Sequence, residues 1–272
     1  MLNVLLTNDD GIEAEGLQAM RAALAELDGV RLETIAPDGN RSAMARSITT
    51  RRPLWVAQTP FSDGTAGYAS DGTPVDCVRL ASLGLIEGFR PDLVVSGINH
   101  GANLGDDITY SGTVAAALEG VVLGIPAIAV SQQSGARALD FRYDGGFRFE
   151  VAARFTAALV ARIEEVPMPA STLLNVNVPA GEPDGVEVTR LGKRIYEDEL
   201  KLEHEEEHGR RYWIYGSDPG FHDEPGTDLT AVADGHIAVT PLHFDLTDHT
   251  GLQALREYDL QELLGPVVHG AS

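Results

Sequence analysis

Cysteine and lysine are almost missing from this chain of 272 residues. Cys77 stands alone, which excludes an intrachain disulfide and any metal centre built on several cysteines. Lysine occurs twice, at Lys193 and Lys201, beside 18 arginines. Positive charge is scarce as well: 20 Lys+Arg face 41 Asp+Glu, a formal net charge of −21. Binding to nucleic acid or an anionic membrane needs clustered cations, so large polyanions are excluded as general partners. Long apolar runs are missing. The longest, Gly120–Val130, is too short to span a bilayer and carries Pro126. The opening run Leu2–Leu6 has no basic residue before it and stops at Asn8, Asp9 and Asp10, so it predicts no secretory leader. The expectation is a soluble cytoplasmic protein that does not engage membranes.

What is present is 43% hydrophobic residues in a strand–helix alternation. Asn3–Thr7, Arg31–Ala36, Leu93–Ser96, Ala127–Ser131 and Leu173–Val178 read as strands. Gly16–Leu27, Val75–Leu85, Thr113–Leu123 and Phe147–Glu164 read as helices, the first with apolar residues at Leu17, Met20, Leu24 and Leu27. Such alternation predicts an α/β fold: a Rossmann-like, mostly parallel sheet flanked by helices. One domain spans 1–272, with a core over about 1–185, an acidic hairpin arm over about 187–216 and a C-terminal segment over about 245–272. The arm, flanked by the strand-like runs Val186–Arg190 and Tyr212–Tyr215, includes Glu197-Asp198-Glu199 and Glu205-Glu206-Glu207. Leu252–Leu264 suits a terminal helix.

Ligands of open α/β sheets gather where strands end. Three polar clusters fall at such places: Asn8-Asp9-Asp10-Gly11, Asp38 to Ser42, and Gly97-Ile98-Asn99-His100. Asp9 and Asp10 are adjacent carboxylates, and two charges about 5 Å apart repel by roughly 3 kcal/mol at an effective dielectric near 20. A divalent cation removes that cost. With the Ser42 hydroxyl and the Asn99 carbonyl they form an all-oxygen set suited to Mg²⁺, Mn²⁺ or Ca²⁺. The same residues also suit a plain polar turn. Ser111-Gly112-Thr113 precedes a helix; it serves either as an ordinary N-cap or, beside a cation, as a phosphate cradle.

Several signatures fail. Leu17-Gln18 stand where a P-loop needs Lys-Ser/Thr, the glycines at 97, 101 and 105 do not form G-x-G-x-x-G, and no G-x-S-x-G is present. His204-Glu205-Glu206-Glu207-His208 satisfies H-E-x-x-H, but its charged surroundings favour a solvated arm over a zinc-bearing helix.

Four ordered blocks together resemble the SurE family, survival proteins that act as nucleotide phosphatases. They are Val4–Ile12; Ala36-Pro37-Asp38 with Arg41-Ser42 and Ser47-Ile48-Thr49; Gly72-Thr73-Pro74 with Asp76-Cys77-Val78; and Pro91–Asn99 through Tyr110–Ala117 and Glu119-Gly120. Gly226-Thr227-Asp228 and Val239–Leu242 extend the likeness. Met44 and Ala45 stand where the family commonly has a glycine after the serine.

The resemblance implies a phosphoric monoester hydrolase, a metal-dependent 5′/3′-nucleotidase acting on nucleoside monophosphates. It implies one divalent ion, Mg²⁺ or Mn²⁺, per subunit on Asp9, Asp10, Ser42 and Asn99. Phosphate contacts fall on Ser111, Gly112 and Thr113, and the subunits form a homodimer or homotetramer with an exchanged C-terminal segment. Asp9 and Asp10 are the catalytic candidates; Asn8 and His100 are substrate-vicinity candidates, His100 either an acid toward the leaving oxygen or a surface histidine. Two alternatives remain open: an aspartyl-phosphate, haloacid-dehalogenase-like phosphatase, and a nucleotide- or metal-binding regulator without turnover. The net charge does not oppose a small phosphate ester. A domain of this length has a radius of gyration of about 19 Å, while charges are screened over about 8 Å. Arg41, Arg46, Arg51 and Arg52 lie near Ser42 in sequence.

Overall fold

The computed structural model describes residues 1–139, 146–196, 199–214, 220–258 and 260–264. Glu197, Asp198, Tyr215 and the last eight residues, named above in the arm and the C-terminal segment, lie outside these.

The chain runs β1 (Leu2–Thr7), α1 (Glu15–Ala25), β2 (Val30–Pro37), β3 (Val56–Pro60), β4 (Ala66–Ser70), α2 (Pro74–Ser82) and β5 (Leu93–His100). A 3₁₀ turn (Gly105–Thr109) leads into α3 (Gly112–Val122), β6 (Ala127–Gln132), α4 (Glu150–Val160) and β7 (Thr172–Val178). Then follow β8 (Gly185–Val188), β9 (Arg194–Ile195), β10 (Lys201–Glu206), β11 (Gly209–Trp213), β12 (Gly220–Phe221), α5 (Asp228–Ala233), β13 (His236–His243) and α6 (His249–Glu257). A second 3₁₀ turn covers Leu260–Leu264.

Nine strands form one sheet in the order β3-β4-β2-β1-β5-β6-β7-β13-β8. From β4 to β7 all neighbours are parallel. Alternation along β1 sends Val4 and Leu6 to the face covered by α1 and α4, and Leu5 to the face covered by α2 and α3. Leu17, Met20 and Leu24 of α1 are fully buried, as their helical spacing predicts. β2 lies on one side of β1 and β5 on the other, so the strand order reverses at β1. That crevice is where doubly wound folds bind ligands.

The expected α/β architecture is present, with four differences. β3 and β4 extend the sheet beyond β2 without a strong local signal. Val186–Arg190 contributes an edge strand of the main sheet, β8, which pairs in parallel with β13. β13 itself, unexpected from the sequence, inserts antiparallel between β7 and β8. Its Pro241 lacks a ladder N–H, and this is tolerated because β8 pairs only as far as Val239. The terminal helix is shorter than expected, α6 ending at Glu257. The exposed hairpin is β10–β11. It places His204 on a strand and His208 in the turn, so the H-E-x-x-H residues share no helical face. Among the described residues no helix is long and apolar enough to cross a membrane.

Candidate active site

The crevice is built from three chain turns. β1 delivers Asn8, Asp9 and Asp10 beyond its last paired residue. Asn8 is buried and closes the turn on itself: its Nδ2 donates to the Gly11 carbonyl at 3.0 Å, and its Oδ1 accepts the Gly11 N–H at 3.1 Å. Asn8 therefore shapes the loop. Gly11 is required because its φ is +111° and a Cβ there would meet the Gly39 backbone at 3.1 Å.

β5 continues through Asn99 and His100, which the sequence placed after the strand. Its register against β6 shifts between Ser96 and Asn99, a bulge of one extra residue. Bulges re-aim side chains; here the Asn99 Oδ1 comes within 3.2 Å of the Thr113 hydroxyl.

The N-terminus of α3 closes the crevice. Ser111 caps the helix, its Oγ accepting the Val114 N–H at 3.1 Å. The Gly112 and Thr113 N–H groups belong to the first turn, where no intrahelical carbonyl can receive them. Thr113 turns both its hydroxyl and its N–H toward the buried Asp9 carboxylate. A hydroxyl has one proton, yet the Thr113 Oγ touches acceptors on both Asp9 and Asn99. The hydroxyl donates to the Asp9 Oδ1, with the Asn99 Oδ1 as a second acceptor at 3.2 Å. Burial, then the neighbouring Asp10 charge, raises the Asp9 pKa well above the usual carboxylate range against the lowering effect of the Thr113 bonds, and burial raises Asp10 too.

Asp10 is held from two sides. Its Oδ2 accepts the His100 N–H at 3.1 Å, and its Oδ1 lies 3.3 Å from the Asn40 Nδ2. The Asn40 Oδ1 in turn accepts the Ser42 N–H at 2.8 Å. Asn40 thus bridges Asp10 to Ser42, a role visible in sequence only as a polar residue beside Arg41-Ser42. Arg41 donates its N–H to the Asp9 carbonyl at 2.6 Å. Ser42 is exposed at this rim; Asp9, Thr113 and Asn99 form one set of hydrogen bonds, and Asp10, Asn40 and Ser42 another.

The loop after Ser42 is strained. Ala43 (φ 58°) and Ala45 (φ 51°) occupy the left-handed region, at roughly 1 kcal/mol each. The Ala45 N–H donates to the Tyr110 carbonyl at 3.2 Å, tying this loop to the start of α3.

One expectation needs correction. His100 is not a surface histidine. Its ring stacks against Phe147 and Phe149, with centroids 5.2 and 4.9 Å away, and its Nε2 accepts the Gly16 N–H at 3.2 Å. Burial pushes its pKa down. Its backbone N–H reaches the site, on Asp10. Of the four arginines near Ser42 in sequence, Arg41 pairs with Asp38, Arg46 with Glu119 and Arg52 with Asp71.

The donor set fits a hard divalent cation: the buried Asp9 and half-buried Asp10 carboxylates, both with raised proton affinity, plus neutral oxygens from Ser42 and Asn99. Gly112 is part of the fit. A Cβ there would lie 2.7 Å from the Asp9 Oδ2. Gly112→Ala is expected to displace Asp9 and to lower activity by about a hundredfold, while thermal melting shifts by only a few degrees. Near-normal turnover of that variant would show that Gly112 is not needed for close approach.

Comparisons with known proteins identify the family. The family model "Survival protein SurE" matches residues 4–198. A 5′-nucleotidase SurE from Rubrobacter xylanophilus is 53% identical over 269 residues, covering 97% of this chain and 99% of the relative. One from Herpetosiphon aurantiacus is 47% identical, covering 93% and 97%. The crystal structure of the SurE protein from Aquifex aeolicus superposes with a TM-score of 0.78 at 40% identity, covering 94% of this chain and 98% of that one. With its nine-stranded sheet, its acidic β1 turn and its capped α3 all in place, the chain belongs to the SurE family.

Proposed function

We propose that the protein is a metal-dependent nucleotidase that hydrolyses nucleoside monophosphates, 5′ or 3′, to nucleoside and phosphate. The observation that carries this reading is the contact between the buried member of a carboxylate pair and a helix N-terminus: Asp9 bonds to Thr113 in the first turn of α3. An anion received by that turn stands beside whatever cation the carboxylates hold. The full-length likeness to relatives named 5′-nucleotidase supports it.

Asp9, Asp10, Ser42 and Asn99 would hold one Mg²⁺ or Mn²⁺ per subunit. When bound, such an ion offsets both carboxylates, polarises a phosphoryl oxygen and acidifies a water. The Ser111 hydroxyl, still free to donate while its oxygen caps the helix, and the N–H of Gly112 receive phosphoryl oxygens. Thr113 links that cradle to Asp9, and the α3 dipole favours the charge that grows there in the transition state. Asp9 or Asp10 orients the attacking water and takes its proton, which ends on the leaving nucleoside oxygen. The aspartyl-phosphate alternative suits this chain poorly, because Asp9 and Asp10 are adjacent and the D-x-D spacing typical of such enzymes is missing.

A homo-oligomer fits the exposed hairpin. Leu202, Tyr212 and Trp213 are uncovered on a two-stranded element, which is marginal in isolation.

Phosphate release from nucleoside monophosphates is expected to vanish in excess chelator and to return on adding Mg²⁺ or Mn²⁺. Full turnover in chelator would sink the metal-dependent reading. Tight nucleotide binding without phosphate release would favour the regulator.

A further inference from the structure

Ser42 is the weakest-held member of the proposed cation set: it is exposed, and it sits on a loop with two alanines in the left-handed region. Strained backbone of this kind persists only where neighbours over-determine it. Asn40 and Arg41 anchor the start of the loop to Asp10 and Asp9. Its far end carries Arg46, and three contacts converge there. The Arg46 Nη2 donates to the Glu119 Oε2 at 2.7 Å. Glu119 lies on α3, two turns beyond Thr113, and is only 1% exposed. The Arg46 guanidinium also lies over the Phe244 ring, 4.6 Å from its centroid, where the chain leaves β13. One residue earlier, the Ala45 N–H is bound to the Tyr110 carbonyl.

Glu119 has a second cation, Arg79 of α2, whose Nε lies 2.7 Å from the Oε1. That contact holds α2 to α3 and does not touch the loop. The two arginines therefore share one carboxylate but do different work, and this separates a loop effect from a general loss of packing.

We propose that Arg46 is a positioning residue: gripped between the buried Glu119 carboxylate and the Phe244 ring, it clamps residues 41–46 so that Ser42 stays at the Asp9–Asp10 cation site. The inference rests on the cation site proposed above. It adds that the affinity of this site depends on a residue outside the ligand set and on how the chain after β13 is seated. The planar guanidinium suits this because it pairs with a carboxylate through its edge while stacking on a ring through its face.

The test is Mn²⁺ binding to the full chain, read by calorimetry or by the free-Mn²⁺ paramagnetic resonance signal, with melting temperature followed in parallel. Arg46→Ala is expected to weaken Mn²⁺ binding by about tenfold, the usual scale for partners that orient ligands. Arg46→Lys, which keeps the Glu119 pair and loses the planar stack, is expected to recover most of that affinity. Phe244→Ala should weaken binding by about threefold. Arg79→Ala should leave Mn²⁺ affinity within about twofold of the parent even though it destabilises α2–α3 packing. Wild-type Mn²⁺ affinity in Arg46→Ala overturns the clamp, and so does an equal loss in Arg79→Ala. Should Arg46→Ala fail to fold, unchanged binding in Phe244→Ala overturns it instead. Asp9→Asn separates this idea from the site itself: Mn²⁺ binding that survives Asp9→Asn defeats the cation site. Binding lost in Asp9→Asn but intact in Arg46→Ala defeats only the clamp.

Discussion

Asp9→Asn is expected to lower phosphate release from nucleoside monophosphates by on the order of a thousandfold, while making the metal-free protein more stable at neutral pH. The loss follows from the proposed role: the variant gives up an anionic cation ligand and a proton acceptor, and groups of this kind carry several kcal/mol of transition-state stabilisation. The gain follows from the buried pair. Both aspartates bind protons more tightly in the folded chain than in the unfolded one, because burial, and for Asp9 also its neighbour, disfavours charge. Their contribution to metal-free stability is therefore greatest at low pH, below the ordinary carboxylate range. It declines as pH rises from about 4 toward neutrality, since over that window the folded state holds more protons than the unfolded state. An amide at position 9 removes the repulsion and keeps an acceptor for Thr113, so apo Asp9→Asn should melt a few degrees higher than the parent at pH 7. The difference should shrink toward pH 4. Thermal melts in chelator across that range check the sign. A variant that melts lower than the parent at every pH would show that the carboxylate is ionised and stabilising in the cation-free fold. Saturating Mg²⁺ or Mn²⁺ should reverse the order, because only the parent site gains binding free energy on folding.

Glu119→Ala is expected to cost about 3 kcal/mol of unfolding free energy, the largest stability effect of any single side chain near the site. Glu119 is 1% exposed, and its two oxygens face Arg46 and Arg79, each at 2.7 Å. Truncation leaves a hole against α3 and two guanidinium groups without their counter-charge. The side chains of Arg46 and Arg79 are 31% and 42% exposed, so water takes over part of what the carboxylate supplied. That places the loss at the lower end of the range for broken buried pairs. Chemical denaturation measures it directly, and a loss under about 1 kcal/mol would mean that water replaces the carboxylate almost fully. If Arg46 clamps the Ser42 loop, Mn²⁺ affinity should fall in this variant as well, because Arg46 loses its partner on α3.

The proposed mechanism also resolves the tension between a net charge of −21 and an anionic substrate. Of the four arginines near Ser42, Arg41, Arg46 and Arg52 are matched to Asp38, Glu119 and Asp71. The α3 N-terminus and the proposed cation would attract a phosphate. Both act over a few ångströms, inside the screening length.

Much of the fold was legible because it is local. Apolar runs of strand length, helical spacing at Leu17, Met20 and Leu24, and polar turns after strands give the α/β alternation and the rim where ligands gather. Ser111 reads as a cap because capping depends on residues three apart. Asp9 and Asp10 announce themselves as neighbours in the chain. Other features depend on residues far apart in sequence. β13 sits between β7 and β8 through pairings that no window of sequence contains. Asn40 joins Asp10 to Ser42 across 30 residues, and Arg46 finds Glu119 across 73. With 18 arginines and 41 acidic residues, composition allows very many such pairs. His100 shows the same limit: its place in the chain did not show that its ring would stack on Phe147 and Phe149 or that its N–H would bond Asp10. The sequence alone determined which chemical groups stand at the strand ends, because caps, turns and apolar periodicity act within a few residues. Only the tertiary structure decided which of those groups hydrogen-bond to one another and which contacts anchor the Ser42 loop, because burial and long-range hydrogen bonds exist only once the sheet has brought distant turns together.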